Sequence, residues 1–266
     1  MILRHYPAGP LSRHVACFWW SRRHTVQEHC EHILPSGGVQ LIFALHDSPI
    51  SCASGTQRTV WTRSVVHGPQ HRYYVAGPKP PGTSVGVAFR AGAAGTILGV
   101  ELPDIADRHP TLEMLWGRPA ADLHAQLSAA AGAMQCFRIL EQELTRRLHP
   151  SHVMHPAVAW ALQSLHDRGA GRVGHLQGAC GYSPKHFIGL FKATVGLTPK
   201  QYGRIQRFNT VVRGLAGSTP GTLADLAAAA GYADQAHMTR EFREFAGVTP
   251  TGYQPTGPDR HLHHRT

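Results

Sequence analysis

Two stretches of this chain say nearly the same thing: GYSPKHFIGLFKATVGLTP, Gly181 to Pro199, and GYADQAHMTREFREFAGVTP, Gly231 to Pro250. Each opens on a glycine turn, passes a polar residue suited to cap a helix, and leaves through G-[LV]-T-P. Ser183 and Asp234 are the expected N-caps, because their side-chain oxygens can accept the first free backbone N–H groups. Counted from each cap, positions +4 and +8 are Phe187 and Phe191 in one copy and Met238 and Phe242 in the other. That spacing puts the pair on one helix face, which must be core. The opposite face holds Lys185, Ile188, Gly189 and Lys192, then Ala236, Thr239, Arg240 and Arg243. Neither outer face contains an acidic residue.

A short helix is expected before each cap, ended by Gly181 or Gly231. The second is the plainer, TLADLAAAAG, with Thr222 and Asp225 placed as a capping box and Leu223, Leu226 and Ala227 as its inner stripe. Helix, tight turn, and helix with a basic or polar outer face make a helix-turn-helix pattern. The second helix of such a unit fits the major groove of DNA, where its outer side chains reach base edges. One copy alone reads equally well as a helix pair with a solvated face. Two copies sharing cap-to-core spacing and exit favour the DNA reading. Between them, Pro199 to Leu215 forms a helix whose stripe, Ile205, Phe208, Val212 and Leu215, can pack against both.

Charge points the same way. The 266 residues carry net +10 with pI near 9.8; residues 1–152 hold 14 Lys/Arg against 10 Asp/Glu, and residues 153–266 hold 12 against 6. The positive density leans toward the repeat, as a polyanion partner requires. No apolar run approaches the ~20 residues of a membrane span, and the N-terminus MILRHYPAGPLSRH lacks a secretory pattern. Five scattered cysteines without CxxC spacing suit a reduced compartment. A cytoplasmic protein is expected, with no membrane partner.

The first ~110 residues read as β-rich: His14 to Trp20, Val39 to Leu45, Arg72 to Gly77 and Ser84 to Arg90 are β-branched or aromatic runs separated by turn residues. In the last, Val85, Val87 and Phe89 form the more apolar face. Helices follow at AAGTILGV, Pro119 to Ala130 and Ala133 to Leu148, where Met134, Phe137, Leu140 and Leu144 make the expected buried stripe. Leu148 to Pro156 is the expected linker, and a helix starts at Pro156 and stops at Gly169. The tail RHLHHRT looks disordered. His24, His29, Cys30 and His32 lie close in sequence, yet an extended chain would turn His29 away from Cys30 and His32, so no metal site is expected. The aromatics Cys17 to Trp20 and Tyr73/Tyr74 read as half core and half surface, with a role in lining an effector pocket left open. No nucleophile setting, paired carboxylates, GxGxxG or P-loop is present, so neither an enzyme nor a cofactor is expected.

Residues ~155–255 resemble the double helix-turn-helix DNA-binding domain of the AraC/XylS family of bacterial transcription regulators. The resemblance rests on "GY", the cap, "F…F", "G-x-T-P", "Y", Arg207-Phe208, and LA…AGYADQAHMTREFREFAGVTP…Y. HILPSGGVQLIF, VVHGPQHRYYVAG, VGVAFRAGAAG and LEMLWG are similar to a β-rich domain often found ahead of it. The resemblance implies two recognition helices, about 183–194 and 234–246, entering successive major grooves of double-stranded DNA. DNA contact is then expected from Lys185, His186, Ile188, Gly189, Lys192, Gln235, Ala236, Thr239, Arg240 and Arg243. Arg240 stands where such proteins often place a base-contacting Arg. Gly189 stands at the matching place in the first unit, and Gln177 replaces a usual Ala, so whether that helix reads bases or only phosphate is left open. The expected architecture is α+β: residues 1–150 a β-rich sandwich or barrel-like domain with flanking helices, 151–256 the all-α double unit, and 257–266 a disordered tail. Effector sensing or homodimerisation by the front domain, and RNA polymerase as a further partner, are open expectations. A nonspecific nucleoid-type binder and an enzyme on the β-rich domain are the alternatives.

Overall fold

Among the described residues, ten strands pair, all antiparallel, into two five-stranded sheets. The structure, a computed structural model, describes residues 1–148, 154–168, 182–217, 221–257 and 260–266. One sheet contains β1 (Ile2–His5), β2 (Val15–Arg23), β9 (Gly82–Phe89), β4 (Gln40–Ala44) and β7 (Ser64–His67), in that order. The other contains β10 (His263–Arg265), β3 (Glu31–Ile33), β8 (Tyr74–Ala76), β5 (Ile50–Ser54) and β6 (Gln57–Trp61). The sheets are open, so the front domain is a sandwich and not a closed barrel.

The first sheet buries both faces, and strand alternation sorts its residues. Phe18, Leu41, Phe43, Val85, Val87 and Phe89 point to one side. There they pack on α1 (Ala94–Leu98), α2 (Leu112–Trp116), α3 (Arg118–Ser128) and α4 (Ala133–Arg147). Cys17, Trp19, Ser21, Gln40, Ile42, Ser84 and Ala88 point the other way, into a cavity of about 310 Å³ between the sheets. Trp19 lies opposite Gly86 in the register, and a Cβ at Gly86 would overlap the indole. Glycine there lets the ring lie flat on the strand.

The α4 stripe differs from expectation at one end. Cys136, Phe137, Leu140 and Leu144 are buried, while Met134 is 62% exposed. The buried face is centred on Cys136, Phe137, Leu140 and Leu144, and at 3.6 residues per turn Met134 lies roughly 120° around the helix from that centre, toward solvent.

The C-terminal part is helical: α5 (Pro156–Arg168), α6 (Pro184–Val195), α7 (Pro199–Ala216), α8 (Leu223–Ala229) and α9 (Gln235–Ala246). The sequence caps are the structural ones. Ser183 accepts from the His186 N–H, Asp234 from the His237 N–H, and Thr222 with Asp225 completes a capping box. The repeated exit also has a physical meaning. Gly196 and Gly247 end α6 and α9 at φ +81° and +75°, a left-handed stop that only glycine adopts freely. Thr198 and Thr249 then cap the next helical turn, with proline in its first position. Phe187, Phe191, Ile205, Phe208, Val212, Met238 and Phe242 are fully buried in one core. The linker residues 149–153, the helix expected before Gly181, and Gln177 lie outside the described residues.

The tail departs from its composition. His263–Arg265 pairs with Glu31–Ile33 as an edge strand of the second sheet, and the Leu34 N–H donates to the Leu262 carbonyl at 2.8 Å. Its histidines and arginines are not repelled there because Glu31, completely buried, accepts from Lys79, from Arg260 at 3.1 Å and from His263 at 3.1 Å. Burial alone would raise the Glu31 carboxyl; these three partners hold it well below the usual range. Among the described residues no helix is long and apolar enough to cross a membrane.

The α4 assignment gives a direct test. Phe137→Ala is expected to destabilise the protein by ~3–5 kcal/mol, and Met134→Ala by less than ~0.5 kcal/mol. Urea denaturation of both variants measures the difference; similar losses would contradict the exposed position of Met134.

Candidate nucleic-acid interface

α8, a turn at Gly231 (φ +78°) and α9 form the second helix-turn-helix unit. The Gly231 and Tyr232 N–H groups donate to the Ala228 and Ala227 carbonyls at 3.0 and 2.9 Å, closing α8 as the chain turns. Tyr232 then drops into the core.

α9 carries two acidic residues, and both are turned toward α7. Glu241, nine-tenths buried or more, accepts from Arg204 at 2.8 Å, from Arg207 at 3.0 Å on each oxygen, and from the Tyr232 hydroxyl at 2.9 Å. Arg207 also lies 4.2 Å over the Tyr232 ring. Glu244 bonds Arg204 at 2.5 Å. Burial opposes ionisation of Glu241, but hydrogen bonds from Arg204, Arg207 and Tyr232 outweigh it and keep the carboxyl below its ordinary range. Glu241 is thus held inside and Glu244, though exposed, is tied to Arg204 of α7, so neither acid is left unpaired beside Arg240 and Arg243.

The residues expected to touch DNA lie on the outer surface. Gln235, Ala236, Arg240 and Arg243 are exposed on α9, and Thr239 is half-buried. Lys185, His186, Ile188, Gly189 and Lys192 are all exposed on α6. Ile188 is an exposed aliphatic residue at the centre of that face. Space around Gly189 is open, so packing does not require a glycine there.

The two units are held differently. Tyr232 is buried on Glu241, whereas its sequence counterpart Tyr182 is exposed, 3.2 Å from His155 Nε2 and against the His186 ring. The residue seven places after each cap explains this: Glu241 in the second unit and Leu190 in the first. With no carboxylate to receive it, the Tyr182 hydroxyl turns outward.

The front domain touches the end of α9. The last carbonyls of a helix lack intrahelical partners. Here His32 Nδ1 donates to the Ala246 carbonyl at 2.8 Å, and the Tyr73 N–H donates to the Phe245 carbonyl at 2.9 Å. His32 and Tyr73 also stack, with ring centroids 4.1 Å apart. Their neighbours in β3 and β8, Ile33 and Tyr74, face the cavity on the opposite side. The cavity walls combine Trp19, Trp61 and Tyr74 with Arg4, Lys79 and Arg260, the last brought by the tail. Burial pushes the Lys79 ammonium down to about 8 against the pull of Glu31. Trp19 and Tyr74 therefore belong to the cavity, while Phe18 belongs to the core and Tyr73 to the contact with α9. None of these contacts, nor the Glu241 cluster, has a local sequence signature; only the alternation of β3 and β8 hints at the division.

Residues 176–255 match a family described as a helix-turn-helix domain, and residues 3–111 match a domain family of unknown function (DUF6597). No curated protein matches the chain. Among solved structures, the chain is similar to ToxT from Vibrio cholerae O395, at 6% identity and a TM-score of 0.46, over 87% of this chain and 95% of that one. It is also similar to unsaturated fatty acid bound wild-type ToxT from Vibrio cholerae strain SCE256, at 8% identity and a TM-score of 0.47, over 88% and 93%.

Because the folded-state pKa of Glu241 is depressed, its stabilisation is complete above the unfolded value and is lost as pH falls through the folded one. Glu241→Gln should cost about 1.5–3 kcal/mol at neutral pH, the scale of hydrogen bonds to a charged group. The gap from wild type should narrow as pH drops below ~4.5. Denaturation curves at pH 7 and pH 3.5 measure it, and an unchanged gap would contradict the charged cluster.

Proposed function

We propose that this chain, whose C-terminal part is a helix-turn-helix domain of the AraC type, binds a specific DNA site by placing α6 and α9 in successive major grooves. A DNA-binding transcription regulator is the reading that fold and family carry in common. The observation behind the finer proposal is the pairing of charge on α9: Glu241 is buried and Glu244, at the surface, is tied to Arg204, so both acids are neutralised by α7 arginines while Arg240 and Arg243 are exposed. A helix presented in this way can approach phosphate without repulsion and bring Arg240 to a base edge. On α6, Lys185, His186 and Lys192 supply phosphate contacts.

For the front domain we favour effector sensing. A cavity of about 310 Å³ with aromatic walls and several cationic groups has the size and lining of a small-molecule site. A molecule seated there would touch Ile33 and Tyr74, whose chain neighbours His32 and Tyr73 hold the end of α9. Two strands then separate ligand from recognition helix.

Arg240→Ala should cost ~1–3 kcal/mol on the specific site, the scale of one bidentate Arg–guanine contact. Lys192→Ala should weaken specific and random DNA alike and reduce the salt slope by about one phosphate's share. Titrations on both DNAs at several salt concentrations separate the two. Equal losses on both DNAs for Arg240→Ala would favour a nonspecific binder, as would a footprint without a discrete boundary.

A further inference from the structure

Three soft, buried side chains from distant parts of the front domain meet beside the cavity. Cys52 lies on β5, His67 ends β7, and His109 lies in the segment leading to α2. Their donor atoms all lie within 4.8 Å of one another. Cys52, His67 and His109 are 2%, 4% and 5% exposed.

The backbone fixes this meeting. The Gly68 N–H donates to the Arg108 carbonyl at 3.1 Å and the Val66 N–H to the Pro110 carbonyl at 2.8 Å. These bonds lay residues 108–110 along β7 and set His109 against His67. The two Nδ1 atoms are 2.7 Å apart, and one must donate while the other accepts. His109 Nε2 is buried with no hydrogen-bond partner. Tyr74 stacks on His67 with ring centroids 4.8 Å apart and lies 4.7 Å from the His109 ring. The arrangement is costly for a purely structural cluster, because buried polar atoms are ordinarily satisfied.

We propose that Cys52, His67 and His109 form a binding site for a thiophilic late first-row cation of the zinc(II) class. One thiolate and two imidazoles are the donor set such ions select over oxygen-seeking magnesium or calcium. Tetrahedral zinc with these ligands needs donor separations of about 3.3–3.6 Å. With all three donor atoms within 4.8 Å of one another, the imidazole pair, 2.7 Å apart, must open slightly to reach it. On binding, the Cys52 S–H bond breaks, its electron pair becomes the metal–sulfur bond, and its proton leaves to solvent. The imidazoles bind as neutral donors, and the ion gives up water. His67 lines the cavity, which supplies the way in. The fourth coordination position falls to water or to a donor atom of a molecule in the cavity, linking the ion to whatever the cavity holds.

The test uses the full chain, reduced and stripped of metal, titrated with cobalt(II) alone as a spectroscopic probe. One equivalent is expected to produce a thiolate-to-cobalt charge-transfer band and intense tetrahedral ligand-field bands, both removed by competing zinc(II). Cys52→Ser should abolish the charge-transfer band, His109→Asn should weaken cobalt affinity at least tenfold, and Cys30→Ser should change neither. DNA binding by the same preparations shows that the variants are folded, and its loss or retention reports on the α9 interface independently of the metal. Absence of the thiolate band, or its persistence in Cys52→Ser, would overturn the site and assign any uptake to the surface histidines.

Discussion

A single buried carboxylate sets the geometry on which the DNA reading rests. Glu241 could not be placed inside the helical core without compensation, since desolvating an unpaired charge costs several kcal/mol. Two guanidinium groups and a phenol surround it, so the cost is met by charge-assisted hydrogen bonds. Such a cluster adds little net stability compared with apolar packing, but it is directional. Arg204 and Arg207 come from one face of α7, and Tyr232 comes from the turn, so only one rotation of α9 satisfies all of them. Apolar packing of Met238, Phe242 and Phe245 would tolerate some rolling about the helix axis. The ion cluster removes that freedom and fixes which side chains face outward.

The opposite end of α9 is fixed by the front domain. His32 and Tyr73 supply the hydrogen bonds that the last turn of the helix lacks. Since successive residues of a strand point to opposite faces, these two necessarily sit back to back with the cavity residues Ile33 and Tyr74. The tail strand adds a second link: it follows the DNA-binding helices in sequence yet completes the sheet at β3 and contributes Arg260 to the cavity wall. A molecule in the cavity can bias the recognition helix only by the difference in its affinity for two arrangements of these strands. In the proposed effector role, a wall built partly from the C-terminal tail would supply such a difference.

What could be read from the chain depended on how far apart the interacting residues lie. The caps Ser183, Asp234 and Thr222, the glycine exits and the stripes of α6, α7 and α9 are all local, and the structure agrees with them. Met134 failed because the buried face of α4 is centred on Cys136, Phe137, Leu140 and Leu144, and the three-residue step back from Phe137 leaves that face. The tail failed because composition counts its charges without knowing that Glu31 waits to accept them. Cys52, His67 and His109 have no motif spacing at all; the pairing of residues 108–110 with β7 unites the two histidines, and the stacking of the sheets adds the cysteine. The close group that does stand out in sequence, His24 to His32, is not assembled: His32 is spent on the Ala246 carbonyl and on Tyr73.

The repeat itself conceals a division of labour. Sequence similarity suggests two equal units, but the position that holds Glu241 in one is Leu190 in the other, and the consequences spread. Without the carboxylate, Tyr182 turns outward to His155, and among the described residues α6 buries Phe187, Phe191 and Val195 in the helical core. Gly189 on its exposed face forgoes about 0.5–1 kcal/mol of helix stability relative to alanine, although a Cβ would meet nothing. A helix held by apolar contacts, with lysines flanking a bare centre, can adjust to the backbone of many sequences. A helix locked by an ion cluster, with an arginine at its centre, cannot. In the proposed DNA-binding mode, that physical asymmetry would leave affinity to the first unit and register to the second, two roles that a simple duplication of the motif would not have separated.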